Sequence, residues 1–482
     1  MAEIKFIKGN PVPLEMHKVR VVQKLNLIPI DMRVEKNNQA GNNAHLLKTE
    51  DVFLDMLTDS GVNAMSDKQL AAMMLADDAY AGSASYFKLE KKAQEIFRMK
   101  YFLPAHQGRA CEHLLSEVFV KNGMTIPMNY HFTTTKSHIE KVGGKVVEVL
   151  SDEGWKPQSE CPFKGNIDLQ KLKDVINQAG VKNIGFVRVE AGTNLIGGQP
   201  VSLENMQDVA KICKENKLKM VLDASLLADN IYFMKVREKQ CLYMSIKDII
   251  AEVCKCFDII YFSGRKLTCS RGGGMCFREE EDYQKVRDLV PLYEGFSTYG
   301  GISVREIEAM AVGLDETLDL DMISQGPIFI EEMTRLLVEN NVPMVTPGGG
   351  LGVHIDCTKF VPHIPPEQYP ANAVHNALYL VSGIRGTERG TMSEERNENG
   401  EEEFAKMELL RLALPRRVFT LSQIKYAVDR ITWLYENRDL IGGVKFVEEP
   451  TVLRFFFGKL EPIGDWQTKL VKKFKEDFGD SL

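Results

Sequence analysis

Lys266 stands in FSGRKLTCSRGGG, directly after an apolar run. A lysine at the end of a buried strand is partly desolvated, which favours the neutral amine that a Schiff base requires. Arg265 beside it, if near in space, pushes the same way; read alone, both also suit a solvated loop. Asp223 ends the apolar run KMVLD. A carboxylate there can keep a ring nitrogen protonated and make the ring an electron sink, or it can simply cap the next turn. Gln107-Gly108-Arg109 follows YFLPA and precedes the helical run ACEHLLSEVFV, so backbone N–H groups at a helix start, with a glycine and an arginine beside them, could receive a phosphate. The glycines at 272–274 are a weaker phosphate candidate and suit close packing. Asn194, in AGTNLIGGQP, could bond a phenolic oxygen of a cofactor or form a turn. Phe132, in HFTTT, could cover a flat ring or serve as an ordinary core residue. Together the set suits a pyridoxal-phosphate site at the mouth of a parallel sheet. No Gly-x-Gly-x-x-Gly follows a strand, and no HExxH or DxDxDG is present, so neither a dinucleotide nor a metal is expected.

These residues need a scaffold that brings strand ends together. VVEVL (146–150), IGFVRVE (184–190), KMVLDAS (219–225), FDIIYFSG (257–264) and GGGMCF (272–277) are expected strands. Between them lie expected helices: DLQKLKDVINQAG, with Asp168 as N-cap and Gly180 as stop; SLENMQDVAKICKENK, with Ser202 as N-cap; and one near 246–253. This alternation implies right-handed crossovers and a mostly parallel sheet covered on both faces, an α/β architecture. Ligands of such sheets bind outside the carboxyl ends of the strands, so chemistry is expected just after Glu190, Leu222 and Phe262. After about residue 318 a helix (GPIFIEEMTRLLVEN), a turn and strand (PGGGLGVHIDCTKF) and strand-like ELLRLALPRRVFT and FVEEPTVLRFFFGKL suggest an α+β second domain. EERNENGEEE (394–403) is expected to be an exposed loop. The first fifty residues, with Pro11, Pro13 and EKNNQAGNNAH, suggest an arm or loop that packs on another subunit or on the second domain.

A chain of 482 residues implies two domains, and 44% hydrophobic with 26% charged residues is the balance of a globular protein, not a disordered one. Apolar runs stop well short of the roughly 20 residues that span a bilayer. The first 15 residues lack the apolar core of a secretion signal. A net charge of −7 argues against general nucleic-acid binding. Nine scattered cysteines, whose one close pair (Cys254 and Cys256) lacks the usual zinc spacing, fit a reducing cytoplasm.

LTDSGVNAMSDKQ, DDAYAGSASY, LPAHQGRACEHLL, FTTTKSH, GGQPVS, EGFSTYGG and LRLALPRRV are characteristic segments. On them, from about Leu54 to near Leu460, the sequence resembles the β-eliminating lyases of aromatic amino acids, tyrosine phenol-lyase and tryptophanase. The resemblance implies PLP-dependent fold type I (aspartate-aminotransferase-like), with an N-terminal arm (1–57) contributing to the small domain and subunit contacts, a large PLP-binding domain (58–318) and a small C-terminal domain (319–482). It implies a cytoplasmic homotetramer, a dimer of dimers, acting on a small amino acid, with neither nucleic acid nor membrane as partner.

The resemblance also implies roles. Lys266 matches the Schiff-base lysine that moves the Cα proton, Asp223 the pyridine-nitrogen partner, Asn194 the ring-oxygen contact and Phe132 the stacking ring. Gln107, Gly108, Arg109 and Ser263 match the phosphate cradle. Arg411 matches the arginine that holds the substrate carboxylate, with Thr58, Ser60 and Asn194 near it. Tyr80 matches the general acid on the leaving group, reached from a neighbouring subunit; a phenol leaves carbon poorly unless the phenol itself is protonated as it goes. Arg389 and Thr133 stand where tyrosine phenol-lyases carry arginine and threonine, and Phe455 and Phe456 match an aromatic pair lining the side-chain pocket. Tyrosine to phenol, pyruvate and ammonia is the implied reaction.

Some positions depart from the family. Leu226 replaces an arginine near the cofactor, Leu351 replaces a histidine, and Arg265 replaces a lysine. These motivate a second reading, a related PLP enzyme with changed substrate or reaction, such as an S-substituted cysteine β-lyase or a tryptophanase. A non-catalytic member is argued against by Lys266, Asp223, Asn194, Arg411 and Tyr80. A monovalent cation is in question, because Asp78 and Arg271 stand at positions where the family carries glutamate and asparagine ligands. Arg271 is expected either to pair with Asp78 and take the cation's place, or to point to solvent while backbone oxygens still bind the ion.

Overall fold

Apolar runs of four or five residues become the strands of one seven-stranded sheet in the computed structural model, which describes residues 6–7, 12–397 and 399–482. Residues 1–5 and 8–11 of the expected arm, Pro11 among them, and residue 398 of the expected acidic loop lie outside the described residues. The strands are β1 (Tyr101–Ala105), β2 (Thr125–Met128), β3 (Lys145–Glu148), β4 (Val187–Glu190), β5 (Met220–Asp223), β6 (Ile259–Ser263) and β7 (Gly273–Phe277). Their order is β1-β7-β6-β5-β4-β2-β3. β7 runs antiparallel to both of its neighbours, and the other pairs are parallel. β4, β5 and β6 are buried along their whole length, as parallel strands covered on both faces must be.

The crossovers form as their caps dictate. The Asp168 carboxylate accepts the N–H groups of Gln170 and Lys171 to start the helix Leu169–Ala179, and Gly180 at φ 77° ends it. The Ser202 hydroxyl accepts the Asn205 N–H to start Leu203–Glu215, and Ser245 does the same for Ile246–Lys255. This strand is shorter than its apolar run suggests: of 184–190 only Val187–Glu190 joins the ladder, with Ile184 making a lone bridge to Thr125.

The chain divides into two compact units. The first, Ser60–Lys156 with Cys161–Pro327, contains the sheet and a core that includes Leu103, Ile126, Ile139, Val221, Ile259 and Met275. The second contains the described residues before Ser60, Pro157–Glu160 and Ile328–Leu482. Its centre is the helix Pro370–Ser382, buried at every position. A three-stranded antiparallel sheet, order β9-β10-β8, belongs to the same unit: β8 (Gly352–Asp356), β9 (Thr387–Arg389) and β10 (Leu409–Ala413).

Two segments of this unit differ from expectation. EKNNQ belongs to the helix Ile30–Gln39 and is not loop, because its inward face is polar: buried Arg33 donates to the carbonyls of Leu380 at 2.7 Å and Ile28 at 2.6 Å, and buried Asn37 donates to Asn376 at 2.7 Å. FVEEPTVLRFFFGKL is not one strand; the strands Val444–Glu448 and Lys459–Pro462 pair around a helical turn at Arg454–Phe457. Among the described residues, no helix is long and apolar enough to cross a membrane, and no cluster of His, Cys, Asp and Glu is placed to hold a metal.

Candidate active site

The register of the main sheet sets Glu190 beside Asp223 and Asp223 beside Tyr261. The Asp223 carboxylate, 5% exposed, accepts from Arg188 Nη2 at 2.7 Å, from the Tyr261 hydroxyl at 2.9 Å and from the Ser225 N–H at 3.0 Å. A carboxylate has about four lone-pair sites, so one remains for a further donor. The Ser225 hydroxyl accepts the Ser263 N–H at 3.0 Å, which ties two strand ends together.

Gly108 is the first residue of the helix Gly108–Phe119, with exposed Arg109 next and Gln107 at the N-cap. A Cβ at 108 would lie 3.0 Å from Ser263 Cβ, so the missing side chain lets this helix start approach the end of β6. Lys266 lies in the helical turn Gly264–Leu267 after β6, its Nζ 6.0 Å from the centre of the Phe132 ring. Phe132 is the N-cap of the helix Thr133–Lys141, which Thr133 opens. Asn194 is buried, and its N–H donates to Glu190 Oε1 at 2.9 Å. On the helix Gly108–Phe119, buried Glu112 accepts the hydroxyls of Thr134 at 2.6 Å and Thr135 at 2.8 Å. Burial, then the charge of Asp223, pushes the Glu112 carboxyl up to about 7. A carboxylate with an open acceptor site, a lysine over an aromatic ring and a helix start made approachable by glycine fit a cofactor that carries a basic ring, a carbonyl and a phosphate.

Leu226 is 2% exposed and packs where a Cβ on Gly192 would come within 2.9 Å of its own; Leu351 is 2% exposed at φ 59°. The expected Arg271–Asp78 pair is not formed. The Arg271 guanidinium donates to the Gly61 carbonyl, and Asp78 lies 3.6 Å from Arg305. Arg265 reaches the same turn, donating from Nε to the Ser60 hydroxyl at 3.2 Å. The Ser60 and Gly61 carbonyl and hydroxyl oxygens therefore face two guanidiniums. Tyr80 is 69% exposed, stacks on Phe296 with ring centres 5.4 Å apart and meets the edge of Tyr299. Hydrogen bonding to Tyr299 holds the Tyr80 phenol above its ordinary value.

In the second unit, β10 places Arg411 opposite Thr387 on β9, and Arg389 follows two residues on, on the same face. Arg411 donates to the Leu57 carbonyl at 2.9 Å. Burial, then the neighbouring Arg389 charge, pushes Arg411 well below its ordinary value, while Asp59 acts against this. The half-buried Arg389 lies with its guanidinium carbon 5.6 Å from the Phe455 ring centre, and its Nε and Nη1 have no hydrogen-bond partner among the described residues. Burial pushes it down to about 10. Phe455 and Phe456 have ring centres 4.0 Å apart, with His45 edge-on to both. Thr58 is half-buried beside Asp59 in sequence. Two adjacent guanidiniums, one with orphaned donors, next to an aromatic pair suit a ligand that brings an anion or a hydroxyl on an aromatic ring.

Arg188, Glu190, Tyr261, Ser225 and Glu112 were not among the sequence candidates. The available signal was VRVE: two charges in a strand that has to be buried on both faces.

A β-eliminating lyase profile matches residues 55–430. The chain belongs to the β-eliminating lyase family. Its relatives include a tyrosine phenol-lyase of Symbiobacterium sp. (strain SC-1), 41% identical over 451 residues that cover 93% of this chain and 98% of the relative. A tyrosine phenol-lyase of Pasteurella multocida (strain Pm70) is 39% identical over 93% of this chain and 99% of its own length. Among solved structures, Sphingomonas wittichii serine palmitoyltransferase aligns with a TM-score of 0.57 at 11% identity, covering 81% of this chain and 88% of that one. The β-eliminating lyase therefore has PLP-dependent fold type I, the mostly parallel sheet with helices described above.

Proposed function

We propose that this β-eliminating lyase is a PLP-dependent tyrosine phenol-lyase, which takes tyrosine and water to phenol, pyruvate and ammonia. The observation that carries this reading is Arg389: a guanidinium with two orphaned nitrogens, beside an aromatic pair and on the same strand face as Arg411, as a phenol hydroxyl would require. Relatives at 41% and 39% identity that bear the name support it. Bound pyridoxal phosphate supplies a carbonyl for an amine and an electron sink.

The chain's own residues divide the work. Gln107, Gly108, Arg109 and Ser263 hold the phosphate. Asp223 accepts the hydrogen of the ring nitrogen, Asn194 binds the ring oxygen and Phe132 stacks on the ring. Lys266 anchors the cofactor and moves the Cα proton. Arg411, with Thr58, Ser60 and Asn194, holds the substrate carboxylate. Arg389 and Thr133 bind the ring hydroxyl, Phe455 and Phe456 flank the substrate side chain, and Tyr80 delivers a proton to the ring carbon of the departing phenol. The exposure of Tyr80 suits a donor that serves a neighbouring copy in a homotetramer, and a cytoplasmic setting suits free cysteines. Arg265 and Arg271, both hydrogen-bonded to the Ser60–Gly61 turn, take the electrostatic role of a monovalent cation.

A second reading keeps the cofactor and changes the leaving group, to an S-substituted cysteine or tryptophan; buried, apolar Leu226 and Leu351 favour it. Pyruvate release from tyrosine, tryptophan and an S-alkylcysteine separates the two. Tyrosine should be the best substrate, equally in sodium and potassium buffers, and borohydride reduction should leave the pyridoxyl label on Lys266. Release from the S-alkylcysteine but not from tyrosine would replace the first reading with the second.

A further inference from the structure

Arg188 is 1% exposed in the middle of β4, between strands that are apolar almost throughout. Its Nη1 and Nη2 each lie 3.2 Å from Glu190 Oε2, its Nη2 donates to Asp223 at 2.7 Å, and its Nε donates to the Tyr261 hydroxyl at 3.0 Å. Glu190, 5% exposed, passes the connection on through Oε1 to the Asn194 N–H at 2.9 Å. A single guanidinium–carboxylate pair therefore touches both residues assigned to the cofactor's ring heteroatoms: Asp223 at the nitrogen and Asn194 at the oxygen.

The two side chains have the geometry of an ion pair. Each group bonded to Glu190 is a donor, so its carboxyl acts only as an acceptor, as a carboxylate does. Burial pushes the Glu190 carboxyl above its ordinary value, and the Arg188 charge acts against this. The other titratable groups facing Arg188 are Asp223, Tyr261 on β6 and Glu112 on the helix Gly108–Phe119. A buried arginine matched to one carboxylate would be a neutral structural pair. Here it is shared between two, of which one keeps an acceptor site open, and removing either partner would leave a charge acting on whatever fills that site.

We propose that Arg188 and Glu190 form a buried charge bridge that joins Asp223 to Asn194 and sets the proton balance of the bound cofactor. Both are positioning residues, since neither is assigned a contact with the cofactor. The bridge rests on the pyridoxal-phosphate reading above. Its function would be to keep Asp223 and Asn194 in one fixed electrostatic relation, so that the charge at the ring nitrogen is answered at the ring oxygen.

The test is the pH midpoint of the visible absorption change of the holoenzyme, in wild type and four variants. Glu190→Gln removes a negative charge while keeping the shape, so a protonated cofactor should be less favoured and the midpoint should fall by about one pH unit. Arg188→Gln removes a positive charge, and the midpoint should rise by about as much. The double variant should return close to wild type, and Arg188→Lys should stay close to it. Packing damage has no reason to produce opposite shifts that cancel. If Arg188→Gln does not fold, Glu190→Gln and Arg188→Lys still decide. A Glu190→Gln midpoint that is unchanged or raised, on protein that binds the cofactor, overturns the bridge and leaves the functional reading intact. Wild-type protein that takes up no pyridoxal phosphate overturns the functional reading, and the bridge with it.

Discussion

Arg389 concentrates a large cost in one side chain. Its guanidinium is half-buried, and two of its nitrogens have no hydrogen-bond partner among the described residues. An orphaned buried donor costs about 1–3 kcal/mol, which a ligand recovers when it supplies an acceptor. Arg389→Ile should therefore lower kcat/KM for tyrosine by roughly one to two orders of magnitude. An S-alkylcysteine, with no ring hydroxyl, should lose much less. Steady-state rates on both substrates check this, and equal losses would mean that Arg389 does not read the hydroxyl. At this scale Asp223 was legible because it stands where an apolar run stops, whereas Ser263 was named only through the family resemblance. Arg188 and Glu190 were not, because a charge inside an apolar run reads as an interruption until the register shows which carboxylates it faces. The Arg271–Asp78 pairing failed for a related reason: sequence offers the charges, but the Gly61 carbonyl was invisible as a competing acceptor.

Elements whose ends carry their own chemistry were legible to the residue. Asp168 and Gly180 bound a helix because a carboxylate can accept the first N–H groups and a glycine can take a positive φ. Asp168→Ala should then cost about 1 kcal/mol, seen as a lower midpoint of chemical unfolding with turnover unchanged. Loss of turnover at unchanged stability would show that this cap does something else. The helix Ile30–Gln39 was illegible because its inward face is arginine and asparagine, and the buried carbonyls of Leu380 and Ile28 that make Arg33 welcome lie outside it. The strand expected across FVEEPTVLRFFFGKL failed where Arg454, 1% exposed, is claimed by Glu402, Glu449 and the Thr391 carbonyl. That network turns the chain into a helical turn that a local apolar pattern does not predict.

For the whole molecule, buried titratable groups set how stability depends on pH. His45 and His375 are pushed down to about 3, both chiefly by burial, with Arg389 and Arg411 adding to the first and Arg385 to the second. Their folded values lie below the unfolded value near 6.5, so they contribute stability that is present above 6.5 and lost as pH falls. Each costs about 1.4 kcal/mol per pH unit over that range. Glu388 and Glu112 run the other way. Burial raises them to about 8 and about 7, with Glu408 adding to the first and Asp223 to the second, so their contribution is present in acid and lost as pH rises toward those values. Between about 4.5 and 6.5 the two effects oppose each other, and stability should be broad and flat there, falling toward pH 8 and falling again below 4.5. His375 isolates one arm of this profile. It is fully buried in the helix Pro370–Ser382, and neither ring nitrogen has a hydrogen-bond partner among the described residues. His375→Met should therefore raise the thermal midpoint at neutral pH by removing two unsatisfied polar atoms. Its advantage over wild type should widen as pH falls below 6.5, while Glu388→Gln should gain on wild type as pH rises toward 8. Because each comparison is a difference against wild type at the same pH, surface charges common to both proteins cancel. A His375→Met advantage that stays constant from pH 7 to pH 5 would show that this histidine takes up its proton equally in the folded and unfolded states, and would remove the acid arm assigned to it.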